Sequence, residues 1–237
     1  MTPAEAWTGY KAESFALLEL AEGDHVLDVG CGTGEDARRL AGLAPGVAVV
    51  GLDVSERKIA EAQARTLGLP RPVEFRVGDA GRLPFEDTVF DACRADKVFH
   101  HLEEPPKALA EMVRVARPGG RVVVSDADYE TLVVAAPNPA LTRRILHAFS
   151  DGLPHGWMGR ELPALFREAG LTGVTVRPYT AVVTEYDDAV LHLREKAKAA
   201  VPAADAAAWI ASLEAAQRAG RFFCAVTIFT VHGRRGP

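Results

Sequence analysis

The chain reads Val26-Leu27-Asp28-Val29-Gly30-Cys31-Gly32-Thr33-Gly34 where an apolar run meets a cluster of glycines. A short apolar run closed by glycines predicts a buried strand and a tight turn, and the polar segment that begins at Glu35 predicts a helix. A second apolar run, Val47–Leu52, ends at Asp53. Strand, helix and strand within about thirty residues form a βαβ unit, so we expect the two strands to be parallel.

Five more apolar runs follow, with helical patterns between them. The further predicted strands are Val73–Val77, Val89–Cys93, Arg121–Ser125, Val174–Val183 and Phe222–Val231. Apolar residues at helical spacing predict helices over Phe15–Leu20, between Ser55 and Gly68, over Pro105–Ala116, Leu141–Phe149 and Leu162–Ala169, and twice within Asp187–Arg218. This alternation indicates one doubly wound α/β domain over residues 1–237, with a mostly parallel sheet covered on both faces.

The net charge of the chain disfavours two classes of binding partner. Its 237 residues carry 27 Lys and Arg against 32 Asp and Glu, a net charge of −5, and 48% of them are hydrophobic. A globular protein of this kind has no surplus positive charge for a phosphate backbone or an anionic membrane. We therefore expect neither nucleic acid nor a membrane as a partner.

Cysteine usage and the N-terminal segment favour a cytoplasmic location. Cys31, Cys93 and Cys224 are odd in number and widely spaced, which is typical of free thiols in a reducing compartment. The first twenty residues lack the basic start and continuous apolar stretch of a signal peptide, and no run of about 18 apolar residues follows.

The polar residues at the predicted strand ends point to an adenosine ligand. Ligands of a doubly wound sheet bind beyond the carboxyl ends of its strands, where the strand order reverses. Those ends carry Gly30–Gly34, Asp53, Gly78-Asp79 and residues 94–96. Asp53 follows Gly30 by 23 residues, close to the ~20 at which a carboxylate accepts hydrogen bonds from a ribose.

Charge at the glycine turn discriminates among adenosine ligands. A dinucleotide site has the pattern G-x-G-x-x-G, but Glu35 stands where the last glycine belongs. Glu35 and Asp36 would also repel a diphosphate at the helix N-terminus. A ligand with a sulfonium, an ammonium and one carboxylate fits better, because Asp28 can face its positive groups. A nicotinamide-dependent oxidoreductase is therefore the weaker alternative.

Five motifs then occur in order: VLDVGCGTG from Val26, GLDVS from Gly51, GDAGRLPF from Gly78, FDACRADKVFHHL from Phe90 and ARPGGRVVV from Ala116. Together they resemble the successive motifs of class I S-adenosylmethionine-dependent methyltransferases, most closely the small-molecule branch that includes ubiquinone and menaquinone biosynthesis enzymes. The resemblance implies a Rossmann-like, seven-stranded sheet whose last strand is antiparallel. It also implies S-adenosylmethionine as the cofactor.

The resemblance assigns roles to the motif residues. It implies that Asp28, Gly30 and Gly32 hold the methionine part of the cofactor, with Cys31 as a small space-filler in the same loop. It places Asp53 on the ribose hydroxyls and Val54 on the adenine. The remaining implied cofactor residues are Asp79 and Ala80, at the adenine amino edge, and Ala95, which closes the site.

Two neighbouring histidines are the catalytic candidates. His100 and His101 follow the fourth predicted strand, close to the expected methyl position. Histidine titrates near neutral pH and can remove the proton of a phenol or an alcohol. The alternative is that one caps the next segment while the other packs. Neighbours on a helix point about 100° apart, so we expect no metal site here.

Aromatic and polar residues outside the motifs predict a cover over the acceptor. It would comprise residues 1–20 and about 127–160. Its substrate candidates are Tyr10, Tyr129, His155, Trp157, Met158 and Arg160. Ordinary packing of aromatic side chains under a loop is the alternative for this set.

The predicted activity is methyl transfer to a small organic metabolite. No Asn-Pro-Pro-Tyr-like segment follows the fourth strand, where the chain has Ala95-Asp96-Lys97, and this favours oxygen or carbon over nitrogen as the acceptor. An alternative is a protein that binds the cofactor without methylating, in a structural or cyclisation role. The sequence leaves the acceptor and the number of subunits open.

Overall fold

The computed structural model describes residues 9–69, 73–187 and 192–237. Its strands are β1 His25–Val29, β2 Ala48–Asp53, β3 Val73–Val77, β4 Phe90–Asp96, β5 Ala116–Val134, β6 Thr172–Val183 and β7 Cys224–Arg234. The α-helices within these ranges are α1 Gly9–Ala16, α2 Glu35–Leu40, α3 Glu56–Thr66, α4 Pro105–Val115, α5 Pro139–Asp151, α6 Met158–Glu168, α7 Leu193–Ala200 and α8 Ala203–Arg218. No helix in these ranges is long and apolar enough to cross a membrane.

The strands form one seven-stranded sheet in the order β3-β2-β1-β4-β5-β7-β6. β7 runs antiparallel to both β5 and β6, while the other adjacent pairs are parallel. The predicted mostly parallel sheet with an antiparallel last strand is therefore confirmed. The strand order reverses between β1 and β4, which places the carboxyl ends of these two strands at the switch point.

Apolar side chains on both faces of the sheet bury the central strands. Helices α4 and α6 pack on one face through residues such as Leu109 and Phe166, and α2 and α3 pack on the other through Leu40 and Ile59. A separate apolar cluster joins α5, α7 and α8 to the long strands β5, β6 and β7. The core thus supports the carboxyl edge of β1, β2 and β4 from both sides.

Strand β5 differs most from its prediction. It continues to Val134 because its second half pairs with β7, where Val134 lies opposite Cys224. The predicted cover over residues 127–160 is therefore not an irregular segment: it comprises the end of β5, α5 and the start of α6. The apolar pattern does not predict this extension, because two polar residues of the strand, Asp126 and Asp128, interrupt it although both are buried.

The N-terminal helix also differs from its prediction. Helix α1 ends at Ala16, before most of the predicted Phe15–Leu20 helix, and the chain turns at Glu19, whose φ is 45°. Leu18 is buried beyond the helix, so its apolar character reflects packing in a turn. Residues 1–8 of the predicted cover, and 188–191 of the predicted Ala-rich helices, lie outside the described residues.

Candidate functional site

The glycine turn brings two backbone segments into close contact at the switch point. Gly30 has a φ of 70°, in the left-handed region that favours glycine. A Cβ at this position would lie 2.3 Å from Cγ2 of Val98. The Gly30 N–H donates to the Leu52 carbonyl at 2.6 Å, which fixes the turn against the end of β2. A side chain here would displace the segment that follows β4.

Two adjoining cavities open at this edge of the sheet, and the larger of the two has a volume of about 420 Å³. It lies among the ends of β1, β2 and β3, the segment after β4 and the start of α4. The predicted cofactor residues that line it are Gly30, Asp53, Val54, Asp79 and Ala80. Residues from three separate motifs thus meet around one volume.

Backbone hydrogen bonds orient the Asp53 carboxylate. Its Oδ2 accepts from the Gly32 N–H and its Oδ1 from the Ser55 N–H, each at 2.9 Å. Val54 beside it is 76% exposed and lines the same cavity. In the same cavity, the Asp79 Oδ1 accepts from the Gly81 N–H at 2.8 Å. Ala95, by contrast, is buried in the core and lines neither cavity.

A smaller cavity of about 160 Å³ adjoins the first, because Gly30 and Lys97 line both. Predicted residues Asp28 and Cys31 line it, and so do Lys11, Asp36, Arg94 and Asp96. Burial raises the pKa of the Cys31 thiol, which keeps that side chain a neutral space-filler.

A buried ion cluster centred on Arg94 forms the floor of this smaller cavity. The guanidinium lies 3.1 Å from Asp28, 3.0 Å from Asp36 and 3.3 Å from Asp96. Arg94 is 1% exposed, and its position opposite Asp28 in the β1–β4 register explains their pairing. Lys11 completes the cluster with contacts of 2.7 Å to Asp36 and 3.3 Å to Asp96. We call these five residues the Arg94 cluster.

Protonation in the Arg94 cluster follows burial and charge. Burial raises the pKa of Asp28 to about 6, although the charge of Arg94 opposes that shift. Burial acts in the same direction on Asp36, but Arg94 and Lys11 outweigh it and lower the pKa of that carboxyl. Arg94 and Lys11 therefore compensate the negative charge of ionised Asp36, which is not the free anion expected from the sequence. Glu35, the other carboxylate expected to repel a diphosphate, pairs with Arg39 at the surface.

Tyr10 contacts the Arg94 cluster through Asp96 and lines neither cavity. Its hydroxyl donates to Asp96 Oδ1 at 2.6 Å, and the residue is 1% exposed. Burial and the charge of Asp96 raise the pKa of Tyr10, so the phenol remains a hydrogen-bond donor at neutral pH. Tyr10 was predicted to contact the acceptor, but it lies instead beside the predicted methionine end of the cofactor.

The two histidines lie in a 3-10 turn, Phe99–His101, and have different surroundings. His100 is buried, and its Nδ1 lies 2.6 Å from Asp126 Oδ1. His101 lines the larger cavity and contacts the His100 ring in a tilted arrangement, with ring centroids 3.8 Å apart. Burial and the neighbouring His100 lower the pKa of His101, so its ring is neutral at pH 7. Asp126, which anchors the pair, was not identified as its partner from the sequence.

The structure separates the other substrate candidates. Tyr129 contacts the His100 ring edge-on at 5.3 Å, and the His155 N–H donates to the His100 carbonyl at 3.3 Å. Trp157 is 46% exposed and stacks against Arg160, which is paired with Asp128. Met158 is fully buried in the core. Only Tyr129 and His155 of this set therefore lie beside the histidines.

Comparisons with known proteins agree with this arrangement. The methyltransferase domain family matches residues 27–124. An uncharacterized 37.1 kDa protein in a transposon of Streptomyces fradiae is 35% identical over the whole chain, which covers 70% of that protein. The O-methyltransferase resE of Aspergillus sclerotiorum is 36% identical over 65% of the chain, which spans 57% of that enzyme.

A solved structure shows the same fold. The YcgJ protein of Bacillus subtilis superposes with a TM-score of 0.68 over 95% of this chain and 99% of its own, at 20% identity. Sheet order, the glycine turn, the carboxylate after β2 and the family match agree with one another. The chain belongs to the class I S-adenosylmethionine-dependent methyltransferases.

Proposed function

We propose that the protein transfers a methyl group from S-adenosylmethionine to a hydroxyl oxygen of a small organic molecule, with His101 as the proton acceptor. The observation that carries this proposal is the His101 ring in the wall of the larger cavity, in contact with a histidine that Asp126 anchors. A base is needed for a hydroxyl, since it must lose its proton as the methyl group arrives.

The two cavities suit the two ends of the cofactor. In the larger one, Asp53 would accept hydrogen bonds from the ribose, Val54 would pack on the adenine, and Asp79 would face its amino edge. In the smaller one, buried oxygens of Asp28 and Asp36 have no hydrogen-bond partner among the described residues, and they suit the α-ammonium. The cofactor supplies an electrophilic methyl group on a sulfonium.

Replacement of Asp53 by Ala is expected to weaken binding of S-adenosylhomocysteine about 100- to 10,000-fold. Each hydrogen bond to a charged group contributes roughly 1.5–3 kcal/mol, and the ribose would lose two of them. Titration calorimetry measures the affinity, and thermal unfolding verifies that the variant remains folded. Asp87, a surface aspartate on Arg114, supplies the matched control Asp87→Ala, for which no change is expected. Unchanged affinity of Asp53→Ala would refute the ribose role.

The main contribution of the protein to methyl transfer would be to position the cofactor and the acceptor relative to each other. The glycine turn and the anchored Asp53 would hold the cofactor in one orientation, and Tyr129 and His155 border the histidine pair. Alignment of this kind can contribute about 7–11 kcal/mol to lowering a barrier. His100, fixed at Nδ1 by Asp126, positions the His101 ring, and His101 takes the proton of the acceptor hydroxyl.

Oxygen is the proposed acceptor atom for two reasons. The neutral histidine supplies the base that a phenol or an alcohol requires. The similar resE protein carries the name O-methyltransferase. Tyr129 lies beside His100 and contacts Phe149, and this aromatic pair favours an acceptor with an apolar or aromatic body.

Incubation with S-adenosylmethionine that carries a deuterated methyl group tests the activity. Small phenols, alcohols and a metabolite extract serve as acceptors, and mass spectrometry detects the transferred label. We expect label on a hydroxyl oxygen. Tight binding of S-adenosylhomocysteine without transfer to any acceptor would instead support a protein that binds the cofactor without methylating. Thermal stabilisation by NAD and not by S-adenosylhomocysteine would overturn the cofactor assignment.

A further inference from the structure

The Arg94 cluster carries an imbalance of charge. Within its five residues, three carboxylates, Asp28, Asp36 and Asp96, surround two cations, Arg94 and Lys11. Lys97 and Glu35 line the smaller cavity beside the cluster. A buried charge is costly unless it is paired. The cluster is therefore suited to a ligand that brings a cation.

Unpartnered atoms in the same cluster indicate the chemistry of that ligand. Asp28 Oδ2 and Asp36 Oδ1 are buried acceptors, and Arg94 Nε is a buried donor; each lacks a hydrogen-bond partner among the described residues. Two acceptors and one donor around one small cavity complement a group that has both an ammonium and a carboxylate. An α-amino acid end group has both.

Lys11 is the member of the cluster that is able to change partners. It lies on α1, outside the sheet, and its side chain is 18% exposed, whereas that of Arg94 is 1% exposed. Its Nζ contacts Asp36 and Asp96, the same carboxylates that hold Arg94. An incoming ammonium would compete with Lys11 for Asp36, and the accompanying carboxylate would attract the released Lys11.

We propose that Lys11 is an exchangeable counterion that recognises the carboxylate of the cofactor. Without ligand, Lys11 neutralises Asp36 and Asp96. With ligand, the α-ammonium binds Asp28 and Asp36 and displaces Lys11 from Asp36. Lys11 then pairs with the α-carboxylate and holds α1 over the smaller cavity. This inference rests on the proposed function, in that S-adenosylmethionine is the ligand of the two adjoining cavities.

Calorimetric titration of Lys11→Met with three ligands tests the proposal. S-Adenosylhomocysteine has both charged groups, its decarboxylated analogue retains only the ammonium, and 5′-methylthioadenosine has neither. We expect Lys11→Met to bind S-adenosylhomocysteine about 10- to 100-fold more weakly, the range for loss of a hydrogen bond to a charged group. Lys11→Met should bind the decarboxylated analogue at least as tightly as the wild-type protein does. The two proteins should bind 5′-methylthioadenosine with equal affinity.

Two control variants separate recognition from folding. Lys11→Arg retains the cation and should recover most of the affinity for S-adenosylhomocysteine. Lys198→Met removes an exposed lysine of α7 and should change nothing. Equal losses for all three ligands in Lys11→Met would overturn the proposal, since they would indicate a structural role, and so would no loss at all. Wild-type protein that binds none of the three would refute the proposed function itself.

Discussion

Replacement of His101 by Gln is expected to lower kcat about 100- to 10,000-fold, the range for loss of a general base. The side chain of Gln fills a similar volume and hydrogen-bonds, but it cannot accept the proton of a hydroxyl at neutral pH. Single-turnover methyl transfer at saturating cofactor measures the effect. Affinity for S-adenosylhomocysteine should change little, because His101 contributes only part of the wall of a cavity that Asp53 and Asp79 anchor.

The pH profile of kcat gives a second readout for His101. A general base acts in its neutral form, and burial together with His100 lowers the pKa of His101 below the ordinary 6.5. Wild-type kcat should therefore be level through neutral pH and fall only as the pH drops through that lowered pKa. His101→Gln should lack this acidic limb.

Two further histidine variants complete the test. His25 lies exposed at the amino end of β1, away from the cavities, and His25→Gln should leave kcat unchanged. His100→Gln should lower kcat less than His101→Gln, because His100 acts by positioning. Full activity in His101→Gln with a large loss in His100→Gln would assign the base to His100 instead.

Replacement of Arg94 by Met is expected to lower the free energy of unfolding by about 3–5 kcal/mol, the cost of breaking a buried ion pair on one side. Asp28, Asp36 and Asp96 would remain buried with Lys11 as their only cation in the cluster. Methionine fills a similar volume, so the loss reflects charge more than packing. Urea unfolding at pH 7 measures the effect.

A surface ion pair supplies the matched control for Arg94. Arg39 pairs with Glu35 on the exposed side of α2, and Arg39→Met should cost no more than about 0.5 kcal/mol. The difference in free energy of unfolding between wild type and Arg94→Met should decrease as the pH falls, because protonation removes the uncompensated charge of the carboxyls. Unchanged or greater stability of Arg94→Met at pH 7 would contradict the proposed charge balance of the cluster.

The fold could be predicted from the sequence because its signals are local. The apolar runs of β1 and β2 are short, bounded by turn residues and largely buried, and β3 shows an alternating pattern around the buried Phe75. The second half of β5 has no such signal, since it forms by pairing with β7 nearly one hundred residues later in the chain, as in the register of Asp128 with Thr227. Pairing partners at that distance override local polarity.

The same distinction applies to the candidate site. Gly30, Asp53 and Asp79 lie within motifs, and the structure brings them to one cavity as expected. The Arg94 cluster could not be predicted, because it joins residues from α1, β1, α2 and β4 that only the strand register and the packing of α1 bring together. One local signal was available: an arginine between Cys93 and Ala95 in an apolar strand requires buried partners.

The central claim is that the two cavities at the carboxyl edge of β1, β2 and β4 bind S-adenosylmethionine. A crystal structure with S-adenosylhomocysteine tests it most directly. We expect the ribose on Asp53, the adenine between Val54 and Asp79, and the amino acid end against Asp28 and Arg94. Density for the nucleoside elsewhere, or a ribose without contact to Asp53, would contradict the claim.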